Sequence, residues 1–253
     1  MEPLKTTMRH VMGHCVRVPL VRQLVAGLQT ARLRNHPYMR RHPFDSQYGI
    51  ETSGLVPAWM LRTGTQADAH AHAHAYAGCQ PSCLRQALSV LPKPERLTFV
   101  DLGCGKGRAL VVASERPFDR ILGIELAPSL VAIAKRNSQA IGRMHPQRTT
   151  IEVSEGDASA ASLPAGDLAI FLYHSFGRQL VQRLVDRIVD LGSQADRQIF
   201  FIYENPVYGG IVDETKCFTK LFEAVVPCTP EEQGFAPDAF DKIAVWQFTG
   251  RTR

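Results

Sequence analysis

The chain has no run of about 18 or more apolar residues, the length that a membrane-crossing helix needs, although 45% of its 253 residues are hydrophobic. A transmembrane segment is therefore not expected. Cysteine is sparse: Cys15, Cys79, Cys83, Cys104, Cys217 and Cys228 are scattered through a chain long enough to bury its own core. That excludes a disulfide-stapled miniprotein and reads as free thiols in a reducing cytoplasm. The composition also excludes a collagen-like fibre and a disordered chain. Acids are scarce at the start. Residues 1–47 hold Lys5, Arg9, Arg17, Arg22, Arg32, Arg34, Arg40 and Arg41 against only Glu2 and Asp45, while the whole chain is +5. The basic excess thus belongs to this arm. It suits an acidic partner such as nucleic acid or anionic lipid, and equally a solvated face. A clean apolar leader is missing too, because Arg17, Pro19, Arg22 and Gln23 interrupt Val16–Leu28.

What is present falls into three stretches. Residues 1–47 form the basic arm, where Leu20, Leu24 and Leu28 with Val21 and Val25 predict an amphipathic helix over Val16–Arg34. Residues 48–96 carry turn signals at Gly49, Gly54, Pro57, Gly64 and Pro81, with a short helix near Cys83–Val90. From residue 97 to 253, strand-like and helix-like runs alternate, the pattern of a parallel α/β sheet. Strands are expected at Leu97–Leu102, Arg120–Glu125, Thr149–Val153, Asp167–Tyr173 and Gln198–Tyr203, with closing strands at Phe218–Val226 and Ile243–Phe248. Helices are expected at Gly107–Glu115, from Pro128 through Asn137, and from Leu180 to a stop at Gly192.

Chemistry concentrates at the ends of the first three strands. The first runs into Asp101-Leu-Gly103-Cys-Gly105-Lys-Gly107. Glycines between a strand and a helix let backbone approach a ligand and aim helix N–H groups at it. Their spacing differs from the Gly-x-Gly-x-x-Gly of dinucleotide binders, and Asp101 would repel a pyrophosphate, which argues against a nicotinamide oxidoreductase. Glu125 ends the second strand about twenty residues on, where an acid can accept from ribose hydroxyls. Asp157 follows the third. Three acids along one sheet edge suit a ligand with a cation, a ribose and an amino-bearing base, and no phosphate. S-adenosylmethionine has each of these.

Phe99–Gly107, Gly123–Glu125, Gly156–Asp157 and Asp167–Tyr173 resemble the ordered motifs of class I, Rossmann-like S-adenosylmethionine-dependent methyltransferases, over about residues 97–205. The resemblance implies a doubly wound α/β fold with a mostly parallel seven-stranded sheet and an antiparallel last strand, here carrying a helical N-terminal extension. It implies that Asp101 with Gly103, Gly105 and Gly107 faces the methionine part, that Glu125 holds the ribose, and that Asp157 and Ala158 lie at the adenine. The activity implied is methyl transfer to a nitrogen or oxygen acceptor, with protein lysine and a small metabolite the first classes to test.

The acceptor side departs from one branch of that family. Enzymes that methylate base amino groups carry Asn/Asp-Pro-Pro-aromatic after the fourth strand, whereas this chain has Tyr173-His174-Ser175-Phe176, and Asn205-Pro206-Val207-Tyr208 comes one strand later. His174 is a candidate general base, Glu204 a group that takes a proton or orients an amine, and Tyr173 stands beside them. Tyr76 to Pro81 resembles, with a longer spacing, a segment of some protein-lysine methyltransferases; the other reading of Tyr76 is a packing aromatic. His70, His72 and His74 alternate in an Ala-rich stretch without a zinc-type ligand pair, so no metal site is expected. The competing reading of the whole chain is a nucleic-acid-binding module, with the basic arm gripping phosphates and the sheet inactive.

Overall fold

The computed structural model describes residues 35–57, 61, 75–173, 176–194 and 197–250. The helix expected over Val16–Arg34, the His70, His72 and His74 run, and His174 lie outside the described residues.

Strand β1 (Leu97–Leu102) is buried at all six positions and sits mid-sheet, between β2 (Arg120–Glu125) and β4 (Asp167–Tyr173). An unbroken apolar run makes this possible, since a strand covered on both faces has no side to offer water. β3 (Ile151–Glu155) lies outside β2, and β5 (Ile199–Glu204) outside β4, all parallel. The last two strands, β6 (Phe218–Pro227) and β7 (Phe240–Phe248), form an antiparallel pair, with β7 inserted against β5. The order is β3-β2-β1-β4-β5-β7-β6. This is the mostly parallel, seven-stranded, doubly wound sheet expected, with β7 antiparallel to both neighbours. The chain leaves β1 toward one edge and returns to β4 on its other side, so the crevice between their carboxyl ends is the topological switch point.

Helices cover both faces. Phe99, Phe171, Phe200 and Ile202 point into one core with α1 (Pro43–Tyr48), α2 (Pro81–Ser89) and α3 (Arg108–Ala113). Val100, Leu102, Ile170 and Phe201 point the other way, against α5 (Arg178–Gln194) and α6 (Gly210–Glu214). Each large side chain so buried contributes roughly 1.5–3 kcal/mol. Between β2 and β3, α4 (Pro128–Met144) starts with proline at its first turn, as expected, and buries Leu130, Val131, Ala134 and Ile141.

Several elements differ from expectation. The helix expected from Pro128 through Asn137 runs on to Met144, and α2, α3 and β5 shift by one or two residues at their ends. Gly192 does not stop its helix; α5 continues to Gln194, because this glycine admits the Phe248 ring where a side chain would collide. β3 starts two residues late and reaches Glu155, since its ladder follows β2 out to Glu125. β7 starts at Phe240, three residues early, because Asp241 and Lys242 continue the hairpin pairing with Val226 and Val225. Finally, α1 was not legible. Its N-cap is His42, whose Nδ1 accepts from Phe44 N–H at 3.1 Å, with Pro43 at the first position. The preceding His36-Pro37 repeats this cap on a short 3-10 turn.

Candidate active site

The glycine elbow after β1 has all three glycines in the left-handed region, with φ of 83° at Gly103, 54° at Gly105 and 85° at Gly107. A side chain there would be strained. The turn folds against β2: Gly103 and Cys104 N–H both donate to Ile124 C=O, at 2.9 and 3.0 Å. It also locks the next acid in place. Glu125 Oε2 accepts from Gly105 N–H at 2.9 Å and Oε1 from Ala127 N–H at 2.8 Å. Burial raises the Glu125 carboxyl, and those backbone donors work against the rise. Asp101 is 3% exposed and accepts no hydrogen bond among the described residues. Burial drives its carboxyl well above the usual range, and the charge of Glu125 adds to the effect. A cation at this edge would relieve both terms.

Asp157 lies past β3 and is only half-buried. Its Oδ1 accepts from Ser159 N–H at 2.8 Å, fixing the turn that places buried Ala158. Arg187 on α5 pins the same turn through Ser159 C=O at 2.7 Å and Ala161 C=O. Asp101, Glu125, Asp157 and Ala158 thus stand at or just past the carboxyl ends of three successive strands, β1, β2 and β3.

The segment before the sheet folds onto the elbow. A Cβ on Gly105 would fall 2.2 Å from the Tyr76 ring, so glycine here makes room for that ring. Tyr76 Oη donates to Thr52 C=O at 2.6 Å, and Lys106 Nζ lies 5.6 Å from the ring centroid. Lys106 also reaches Ser53 C=O at 2.6 Å and Glu51 at 3.2 Å. Arg108 donates to Thr52 Oγ1 at 2.7 Å and Cys79 C=O at 3.1 Å. Tyr76 is thus a packing aromatic whose packing partner is the glycine loop itself. Lys106 and Arg108 were not singled out in the sequence; their position inside the motif was the available signal.

The acceptor candidates gather past β4 and β5. Tyr173 Oη is 3.1 Å from Tyr38 Oη, and burial raises both hydroxyls above their usual range. Glu204 is fully buried. Its Oε1 accepts from Gln80 N–H at 2.8 Å, while Oε2 makes no hydrogen bond of good geometry, though Asp241 bears on it electrostatically. A narrow cleft, partly open to solvent and with room for about one water, is lined by Tyr38, Tyr173, Arg108, Phe235 and Asp241 among others. His42 also lines it; burial, then Arg108, lowers its imidazole to about 4. Tyr38 and Asp241 were missed because they come from distant segments. Cys79 ties the two halves together, since it feels both Asp101 and Glu204. Its thiol and those of Cys83, Cys104, Cys217 and Cys228 are free and buried. Among the described residues, no group of three or more His, Cys, Asp or Glu could hold a metal ion, and no helix is long and apolar enough to cross a membrane.

No protein-family model and no curated protein matches this chain. Solved structures resemble it in backbone path. An RNA methyltransferase from Salinibacter ruber, in complex with S-adenosyl-L-homocysteine, is 16% identical, covering 70% of this chain and 97% of its own at a TM-score of 0.46. The N-methyltransferase NodS from Bradyrhizobium japonicum is 14% identical, covering 66% and 92% at 0.46. YcgJ from Bacillus is 10% identical, covering 68% and 99% at 0.48. Likeness at this level says nothing about what the present chain binds.

Proposed function

We propose that the chain is a methyltransferase that draws on S-adenosylmethionine and delivers the methyl group to a nitrogen or oxygen acceptor, a protein lysine or a small metabolite. The observation that carries this reading is Asp101. It is a buried carboxyl without a hydrogen bond among the described residues, held at the glycine elbow within the field of Glu125. Such a group is costly to bury unless a positive ligand meets it. A pyrophosphate would meet repulsion instead.

The residues fit the cofactor. Asp101 and the loop Gly103–Gly107 would hold the methionine part. A carboxylate offers about four lone-pair sites; backbone N–H groups of Gly105, Ala127 and Leu126 bear on Glu125, and what they leave would accept from a ribose hydroxyl. Asp157 would take the adenine amino group beside Ala158. When bound, S-adenosylmethionine supplies a methyl on a good leaving group: the acceptor's lone pair bonds to carbon as the carbon–sulfur pair leaves on sulfur. Tyr76 covers the loop against water. The candidates for orienting and deprotonating the acceptor are His174, Tyr173 and Glu204.

Calorimetry tests the reading. S-adenosylmethionine should bind and NADH should not. Asp101→Ala and Asp157→Ala should each weaken binding by about 1 kcal/mol or more, the scale of a lost hydrogen bond to a charged group. Unchanged affinity in folded variants would remove the site assignment.

A further inference from the structure

We propose that the tip of the loop joining β6 to β7, residues 233–238, is a gate on the cleft past β4 and β5, and that Phe235 is the side chain that closes it. That a methyl acceptor is what enters rests on the methyl-transfer reading; the opening itself does not.

Three observations carry it. The first is room. As it stands the cleft holds about one water. A nitrogen or oxygen acceptor brings carbon with it and is larger, so a wall has to move before one reaches Tyr173 at the end of β4.

The second is which walls are fixed. Tyr173 and Asp241 stand on strands of the sheet. Gln80, at the start of α2, is tied through its N–H to Glu204 at 2.8 Å. The wall made by Tyr38 and His42 is bound at several points. Tyr38 C=O accepts from Gly54 N–H at 2.9 Å, Tyr38 Oη lies 3.1 Å from Tyr173 Oη, and His42 N–H donates to Ser53 Oγ at 2.7 Å. The loop itself is fixed at both ends. Glu232 is its post, accepting from Ser82 N–H at 2.9 Å, Gln80 Nε2 at 3.2 Å, Thr229 N–H at 3.3 Å and Ser82 Oγ. Beyond the tip, Ala239 C=O accepts from Cys228 N–H at 2.8 Å and closes the hairpin.

The third is how lightly the piece between those ends is held. Gln233, Gly234, Pro237 and Asp238 are exposed, while half-buried Phe235 and Ala236 line the cleft. Across the cleft the tip is held by Arg40 Nη1, which donates to Gly234 C=O at 3.0 Å in an exposed bond, and by the Phe235 ring edge-on to His42 with centroids 5.3 Å apart. Gly234 has φ of 81°, a region glycine enters freely, which gives the tip its hinge. A segment with exposed backbone and little buried apolar surface opens at far lower cost than a core strand. Swinging the tip outward withdraws Phe235 and leaves the post, the strands and Tyr38 in place.

The chain's own thiols test this. Cys79 and Cys228 line the cleft at 4% and 6% exposure, whereas Cys83 and Cys217, at 0% and 4%, sit one in each core and off the lining. Burial pushes the Cys79 and Cys228 thiols up, which by itself slows their alkylation, so a faster rate reports opening. The full chain is treated with iodoacetamide near pH 8, and the rate at each cysteine is read by peptide mass mapping. Cys79 and Cys228 should react about ten-fold or more faster than Cys83 and Cys217. Phe235→Ala should speed the first two by a further factor of about three or more, the scale of one aromatic edge contact, and leave the other two unchanged. Equal rates at all four in the parent, a parallel rise of all four in Phe235→Ala, or no change at Cys79 and Cys228 in that variant overturns the proposal. The parent's ratio decides even where the variant does not fold. No S-adenosylmethionine takes part, so the gate and the methyl-transfer reading stand or fall separately.

Discussion

Glu204 ends β5 with none of its surface exposed and one oxygen unsatisfied. Burial, and after it Asp241, keeps its carboxyl protonated well above the ordinary 4.5. In the unfolded chain the same group gives up its proton near 4.5. Above that pH the folded state therefore holds a proton that the unfolded state lacks, and stability falls as pH rises. Gln has the same shape and no proton to lose; its amide oxygen can still accept from Gln80 N–H, and its NH₂ can donate toward Asp241. Glu204→Gln should thus melt at a higher temperature than the parent near pH 7, with the gap closing as pH drops below 4.5. A melting series across pH 4–8 checks it, and a parallel offset at every pH would contradict the buried-proton account. At this scale legibility was uneven. Asp101 and Glu125 could be read because each ends a strand beside glycines. Asp241 could not, because its meaning depends on Glu204, reached only through the β5–β7 pairing.

Helix α5 shows why periodicity finds an element more easily than its end. Leu180, Val181, Leu184, Val185 and Ile188 face the sheet and were readable as a stripe. Gly192 looked like a stop, since glycine costs a helix interior close to 1 kcal/mol relative to Ala. The structure has a different use for it: a Cβ there would lie 2.3 Å from the Phe248 ring, itself packed edge-on against Phe218. Helix propensity favours Gly192→Ala, but overpacking costs roughly 1–3 kcal/mol. The substitution should therefore lower stability by about 1 kcal/mol, seen as a reduced urea midpoint at constant m-value. In a Phe248→Leu background the same change should be neutral or stabilising, a coupling that a double-mutant cycle resolves. The central strands carried no such ambiguity, because burial on both faces leaves an unbroken apolar run. The sheet's last strand did, since Phe240–Lys242 is held by hairpin pairing rather than by a core of its own.

Across the whole molecule, the segment ahead of the sheet is tied to it by bonds that sequence spacing does not reveal. Asp45 accepts from Thr52 N–H and Ser53 N–H, both at 2.8 Å, from Ser53 Oγ at 2.7 Å and from Thr52 Oγ1. Thr52 passes the restraint to Arg108, and Asn137 links Glu51 to Lys106. Phe44, Tyr48 and Ile50 share the core of Phe99 and Phe171. Segment and sheet should therefore open together. In hydrogen exchange, the Thr52 and Ser53 amides should be protected as strongly as those of β1, exchanging only through global unfolding. Asp45→Ala strands donors in a buried place, at roughly 1–3 kcal/mol each. Protection of residues 50–54 should then drop at least about ten-fold below that of β1. Because Lys106 and Arg108 lose their anchors with it, affinity for S-adenosylmethionine should fall too, although Asp45 lies outside the residues assigned to the nucleoside. Loss of protection with unaltered affinity would show that the elbow holds its shape without the segment that covers it.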